Sequence, residues 1–206
     1  NDFDLLIAKK IINTNINLIH LSTRKVYKPK YNIRENTILK PICNYSLNKS
    51  ITEKQLSKIL NKRLTILRIS NLIGLPLNNI NKKLHYTFMD HFFYNIHKGI
   101  IYKNGKNFKD FISIDKFCEI THQIMKKKLS GIYNVSIGKK IFLSTLIKWL
   151  NHFNNKPFKY KTLEKKYNKD CFTLNNERLM KDIKLKNRII DLKNYSMKIS
   201  KKYFIG

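Results

Sequence analysis

Tyr45-Ser46-Leu47-Asn48-Lys49 sets a phenol and an ammonium four residues apart. On a helix that spacing brings both side chains onto one face. The chemistry such a pair offers is proton transfer. A tyrosine hydroxyl has a pKa of about 10 and is a poor base at neutral pH, whereas a neighbouring ammonium stabilises the phenolate and lowers that value. Spacing alone does not single the pair out. With 11 Tyr and 36 Lys in 206 residues, chance gives roughly two. The chain has three: Tyr45/Lys49, Tyr94/Lys98 and Tyr102/Lys106. Context distinguishes the first. Upstream, Leu21-Ser22-Thr23-Arg24-Lys25-Val26-Tyr27 ends a β-rich run with two hydroxyls. Downstream come Glu53, four positions after Lys49, and then Leu67-Arg68-Ile69-Ser70-Asn71-Leu72-Ile73-Gly74. Taken alone, Thr23 also suits a strand-terminal cap, Lys49 a solvated lysine, Asn71 a turn and Lys109 an exposed cation. His85, His91 and His97 are six residues apart, the wrong interval for one helix face, so no metal site is expected.

These residues need elements to hold them. Apolar spacing predicts helices over 3–13, 46–60, 84–97, 116–128 and 143–153, and a mostly helical stretch over 175–206. Strands are predicted at 16–22, 64–70 and 131–138. The first two are apolar enough for inner parallel strands covered on both faces. Residues 28–44 and 71–81 read as loops, and 99–115 as two short strands around Asn104-Gly105. Helix alternating with parallel-type strand indicates an α/β fold.

Composition sets outer bounds. Hydrophobic residues make up 42%, enough for a packed core, and no apolar run is long enough for a membrane span. The formal charge is +29, which ordinarily suggests nucleic acid. Yet Lys, Asn and Ile together supply 91 of 206 residues, and Lys outnumbers Arg 36 to 6. A coding bias towards A/T-rich codons explains all three enrichments, whereas a nucleic-acid surface explains only lysine and would favour arginine forks. No specific nucleic-acid partner is expected. Three scattered cysteines, Cys43, Cys118 and Cys171, make neither a disulfide framework nor a zinc knuckle, so a reducing cytoplasm is the default.

The ordered series of strand, Ser/Thr, proline-bearing loop, Tyr-x-x-x-Lys helix, strand and Arg-x-x-Asn-x-x-Gly resembles the extended short-chain dehydrogenases, the NAD-dependent epimerase/dehydratase family. Phe108-Lys109-Asp110-Phe111-Ile112-Ser113-Ile114-Asp115 resembles that family's Arg-Asp-Phe-Ile-His hairpin, and Gly131-Ile132-Tyr133-Asn134-Val135 its later Gly-x-Tyr-Asn-Val strand. Phe172-Thr173-Leu174-Asn175 resembles its C-terminal segment. The resemblance implies the C-terminal part of a Rossmann-type parallel sheet plus a smaller, mostly helical substrate-binding region. Residues 1–74, rejoined by the strand near 131–138, would form the first. Residues 75–130 and 139–206 would form the second. It implies NAD or NADP as cofactor, a nucleotide-sugar substrate, and a homodimer in the full-length form. Tyr45 would handle the substrate proton. Lys49 would lower the Tyr45 pKa and bind the nicotinamide ribose, Thr23 would share the substrate oxygen, and Asn71 and Lys109 would meet the diphosphate. The implied reaction is epimerisation or 4-keto reduction.

Departures narrow this. Arg24-Lys25 stand where the family's dehydratases carry Asp-Glu, which disfavours water loss. Lys28 and Ser46 replace glycines, Ser113 and Lys116 a His and an Asp, and Lys109 an Arg. The family's glycine-rich turn, where backbone N–H groups hold the pyrophosphate, is absent: the glycines fall at 74, 99, 105, 131, 138 and 206. The sequence therefore reads as N-terminally incomplete, with an open strand edge that would leave it poorly soluble alone. A non-catalytic binding or regulatory member of the same fold is the alternative.

Overall fold

The computed structural model describes residues 2–75, 88–97, 100–102, 107–155, 159–161 and 170–205. The elements run α1 (Phe3–Lys10), β1 (Leu18–Thr23), α2 (Asn44–Leu60), β2 (Leu64–Ile69), β3 (Asn71–Ile73), α3 (Phe88–His97) and β4 (Ile100–Tyr102). They continue with β5 (Phe108–Lys109), β6 (Phe111–Ser113), α4 (Ile114–Lys126), β7 (Gly131–Val135), β8 (Ile141–Phe142) and α5 (Leu143–Leu150). β9 (Lys159–Lys161), α6 (Glu177–Ile183) and α7 (Ile189–Phe204) complete the series.

The main sheet is parallel, in the order β1-β2-β7, with Leu18 opposite Leu64 and Thr65 opposite Gly131. β2 is its middle strand and is buried along nearly its whole length. Its alternation divides the core. Leu64 and Ile66 pack with Ala8, Leu56 and Leu60 beneath α1 and α2. Leu67 faces the other way, into Ile112, Ile120, Tyr133, Val135 and Leu179. β1 differs from expectation. It stands at one end of the sheet among the described residues, and Leu21 is 48% exposed, so it is not covered on both faces.

A second core lies beyond the sheet, where Ile73, Phe92, Phe93, Phe111, Leu146, Leu150 and Leu192 meet. Two expectations change there. Asn71–Ile73 is a strand rather than a loop, because it pairs in parallel with Phe111–Ser113. The expected hairpin is also replaced: β5 pairs with β8, and β4 pairs with β9. Asn104 and Gly105 lie outside the described residues. α4 begins earlier than its apolar spacing suggests, because the Ser113 hydroxyl accepts the Lys116 N–H and caps it. Among the described residues no helix is long and apolar enough to cross a membrane.

Candidate active site

The carboxyl ends of β1 and β2 and the first turns of α2 bring the chemistry together. Thr23 is the last residue of β1, and its Oγ1 accepts the Lys25 N–H at 3.2 Å, capping the short 3-10 turn Arg24–Val26. The hydroxyl proton stays available for donation. α2 packs on β1 and on that turn. Its start is fixed by Ser46, whose Oγ accepts the Ile42 and Cys43 N–H groups and donates to the Cys43 carbonyl. This serine, at a position where a glycine was expected, therefore sets where Tyr45 falls, in the first helical turn. The inner face of α2 is a stripe of Ser46, Ser50, Glu53, Leu56 and Leu60 at helical spacing.

Tyr45 is 53% exposed. Burial of the rest of its ring, aided by the neighbouring Cys43 thiol, pushes the phenol above its ordinary value. The downward pull expected from Lys49 is not what governs it. Lys49 Nζ lies 3.9 Å from Asp4 Oδ2 on α1, and the same carboxylate oxygen is 2.7 Å from His20 Nδ1 on β1. The imidazole of His20 is buried, which holds it below its usual value, with Lys49 adding to the fall. Of the other Tyr/Lys pairs, Lys98 and Lys106 lie outside the described residues, as does His85.

Glu53, left without a role by the sequence, anchors a buried network. Its carboxylate accepts Arg68 Nη2 at 2.6 Å and Nε at 3.1 Å, and Ser22 Oγ at 2.5 Å. Arg68 Nη1 donates to the Tyr27 hydroxyl at 2.6 Å and the Glu35 carbonyl at 3.0 Å. The Tyr27 hydroxyl donates to Asn134 Oδ1, and Asn134 Nδ2 donates to the carbonyls of Ile33 and Asn175. Burial pushes Tyr27 up to about 12, so it acts as a neutral donor. The motif residues Tyr27, Arg68 and Asn134 thus hold the strand ends in place.

Asn71 Nδ2 donates to the Asp110 carbonyl at 3.1 Å, joining β3 to the β5–β6 segment. The Asp110 side chain is fully buried and accepts the N–H groups of Gly138 and Leu174. Gly138 has φ +73°, and a Cβ there would meet Asn176 Oδ1 at 2.8 Å. Burial raises the Asp110 pKa to about 7. Beside it, Lys109 Nζ is bonded to the Asp170 carboxylate, whose other oxygen takes Arg24 Nη2 at 2.5 Å. Neither Arg24 nor Asp170 was assigned a site role from the sequence. The available signals were an arginine directly after Thr23 and one of two acids, Glu164 and Asp170, in the lysine-rich stretch before Cys171.

A model of the NAD dependent epimerase/dehydratase family matches residues 4–136. The chain belongs to that family. Among solved structures, the UDP-N-acetylglucosamine 4-epimerase of Methanobrevibacter ruminantium M1, in complex with UDP-N-acetylmuramic acid, matches with TM-score 0.78 and 19% identity over 97% of this chain and 67% of that one. The UDP-glucose 4-epimerase of Thermotoga maritima, with UDP-glucose, matches with TM-score 0.75 and 18% identity over 97% and 67%. The dTDP-glucose 4,6-dehydratase of Bacillus anthracis, in complex with NAD, matches with TM-score 0.70 and 19% identity over 96% and 65%. The chain thus spans about two thirds of the length of these structures, which share its Rossmann-type α/β fold. No curated protein matches the chain.

The family's cofactor asks for hydroxyl and ammonium donors near the carboxyl ends of the parallel strands. Tyr45 and Lys49, in the first turns of α2, are a hydroxyl and an ammonium of that kind. Ser70, one residue past β2, carries a buried Oγ with no partner among the described residues. The hydroxyl and ammonium of Tyr45 and Lys49 have the donor chemistry that the ribose end of a nicotinamide cofactor would need. The sequence contains no glycine-rich turn for its pyrophosphate.

Proposed function

We propose that this epimerase/dehydratase-family chain serves the NAD(P)-dependent epimerisation or 4-keto reduction of a nucleotide-linked sugar. The observation that carries the reading is the packing of α2, with Tyr45 and Lys49 in its first turns, against the strand end and turn that Thr23 caps. A bound nicotinamide would supply the hydride acceptor and donor. Thr23 donates a hydrogen bond to the sugar oxygen, Tyr45 gives or takes its proton, and Lys49 binds the ribose. Asn71 and Lys109 face the diphosphate. Arg24 in place of an acid removes the groups that water loss needs. The solved relatives bound to UDP-linked sugars and to NAD support both ligand classes. Residues 1–74 with the strand near 131–138 form the cofactor side, and 75–130 with 139–206 the substrate side. Exposed Phe3, Leu6, Ile7, Leu47 and Ile51 on α1 and α2 support a homodimer of the full-length form, and a cytoplasmic setting suits its free thiols.

The non-catalytic reading has one observation in its favour: the Tyr45 phenol is raised rather than lowered, while Lys49 leans to Asp4. One experiment separates the two. In the full-length encoded protein, Tyr45→Phe is expected to lower turnover of UDP-sugars at least about 10²-fold with unchanged folding, the scale of a lost proton-transfer group. Turnover unaffected by the change removes Tyr45 from the reaction. Cofactor and sugar binding without any turnover establishes the non-catalytic reading.

A further inference from the structure

Arg24 directly follows Thr23 and is 3% exposed. A guanidinium carries five N–H donors and cannot shed its charge inside a protein. One nitrogen, Nη2, bonds Asp170, and the Phe172 ring covers the guanidinium plane with its centroid 4.0 Å from Cζ. Nε and Nη1 are buried with no acceptor among the described residues. Lys109 holds the second oxygen of the same carboxylate. Two cations therefore share one anion. The cations are sunk, with side chains 4% and 17% exposed, while the Asp170 side chain is 40% exposed.

A buried fork with bare N–H groups is costly until an acceptor meets it. The planar guanidinium matches a two-oxygen anion, which neither a sugar hydroxyl nor a single water does. We infer that Arg24 and Lys109 form a receptor for an oxyanion of the bound nucleotide sugar, with Asp170 as the internal anion that fills part of it beforehand. The inference rests on the nucleotide-sugar reading above. Placement favours a carboxylate on the sugar over the diphosphate. Arg24 adjoins Thr23, which meets the reacting sugar oxygen, whereas Lys109 stands on the diphosphate side. The substrate class is then a nucleotide-linked acidic sugar, and Arg24 determines specificity rather than taking part in proton transfer.

The test is calorimetric titration of the full-length encoded protein with UDP-glucuronic acid, UDP-glucose, UDP and inorganic pyrophosphate, repeated on Arg24→Gln, Arg24→Lys and Asp170→Asn. Arg24→Gln should weaken UDP-glucuronic acid about tenfold or more and leave UDP-glucose within about twofold, the pattern of a lost charge-assisted fork. Arg24→Lys, which keeps the charge without the fork, should fall between. Asp170→Asn should tighten every anionic probe, because the competing carboxylate is gone. Equal weakening of both sugars and of UDP keeps the receptor but moves the oxyanion to the diphosphate, overturning the acidic-sugar class. Affinities unchanged across all variants overturn the receptor itself. Failure of the unsubstituted protein to bind any UDP ligand overturns the nucleotide-sugar reading. Pyrophosphate then still decides the receptor: tightening in Asp170→Asn supports it, and no change overturns it. That last arm also covers an Arg24→Gln variant that does not fold.

Discussion

Arg68 and Arg24 are buried to the same degree, each 3% exposed, yet their surroundings have opposite logic. Arg68 is closed. All its forward nitrogens meet acceptors, from Glu53, Tyr27 and the Glu35 carbonyl, and its ion pair with Glu53 is as deeply buried as the arginine. Arg24 is open. It has one acceptor, on a half-exposed aspartate that a lysine also uses, and its other nitrogens face no described acceptor. A complete buried network fixes geometry, while an incomplete one is poised for something else. The contrast separates the part of the site that builds the frame from the part that reads the ligand.

The largest effect should come from breaking the closed side. Glu53→Gln leaves the Arg68 charge buried without its counter-charge and turns one of the two acceptor oxygens shared by Arg68 and Ser22 into an amide donor. Loss of one partner from such a pair costs about 3–5 kcal/mol. Denaturant unfolding should show that fall, together with a loss of the strand-end geometry. A cost below about 1 kcal/mol, the range of an exposed pair, would mean the network is not the frame described.

The two regions also place their acids differently, which gives a second test. Asp170 is desolvated, which alone would raise its pKa, but Arg24 and then Lys109 bring it below the ordinary carboxylate value. Its stabilising contribution is present above the unfolded value of 3.8 and is lost as pH falls through the lower folded value. Asp110 runs the other way. Its folded value of about 7 lies above 3.8, so the folded state holds an extra proton between the two. That contribution is full below pH 3.8 and is lost as pH rises through about 7. The swing is at most roughly 4 kcal/mol, the hydrogen bonds that the ionised carboxylate accepts being already contained in the value of about 7. The Asp110 part of stability should therefore decline from pH 4 to 7, against the rise with pH that His20 gives below 6.5, and Asp110→Asn should remove that declining part. An unchanged slope in Asp110→Asn would show that Asp110 does not hold its proton in this window.

The sequence announced the frame better than the ligand-reading side, for physical reasons. β2 was legible because burial on both sides gives it a near-continuous apolar run, and α2 was legible as a helix from Leu47, Ile51, Leu56 and Leu60, although Leu47 and Ile51 are exposed and its buried face runs instead through Ser46, Ser50, Glu53 and Leu56. β5 and β6 were legible only as short pieces and β3 was read as a loop, because their pairing depends on partners far along the chain, such as Phe111 opposite Asn71 and Phe142 opposite Phe108. The Tyr45/Lys49 spacing was visible, but the direction of the phenol's shift was not. It follows first from burial of part of the ring, which only packing creates, and then from Cys43 two residues earlier. Asp170 joins Arg24 across 146 residues, a separation no local pattern encodes.

The smallest effect should come from removing the open cation. Arg24→Met keeps much of the side-chain volume and its contact with Phe172 while deleting the charge. In a closed network such a change leaves partners stranded. Here the stranded partner is Asp170, which is 40% exposed and keeps Lys109. The cost of burying two unpartnered nitrogens vanishes with the guanidinium, and replacing a buried ion pair by apolar volume is often neutral or favourable. Unfolding free energy should change by less than about 1 kcal/mol in either direction, against a several-fold larger loss for Arg68→Met. Equal, large losses in both variants would make Arg24 a second frame element and erase the distinction. A small change in Arg24→Met, with the large one in Arg68→Met, would separate the two arginines on stability alone, before any ligand is added.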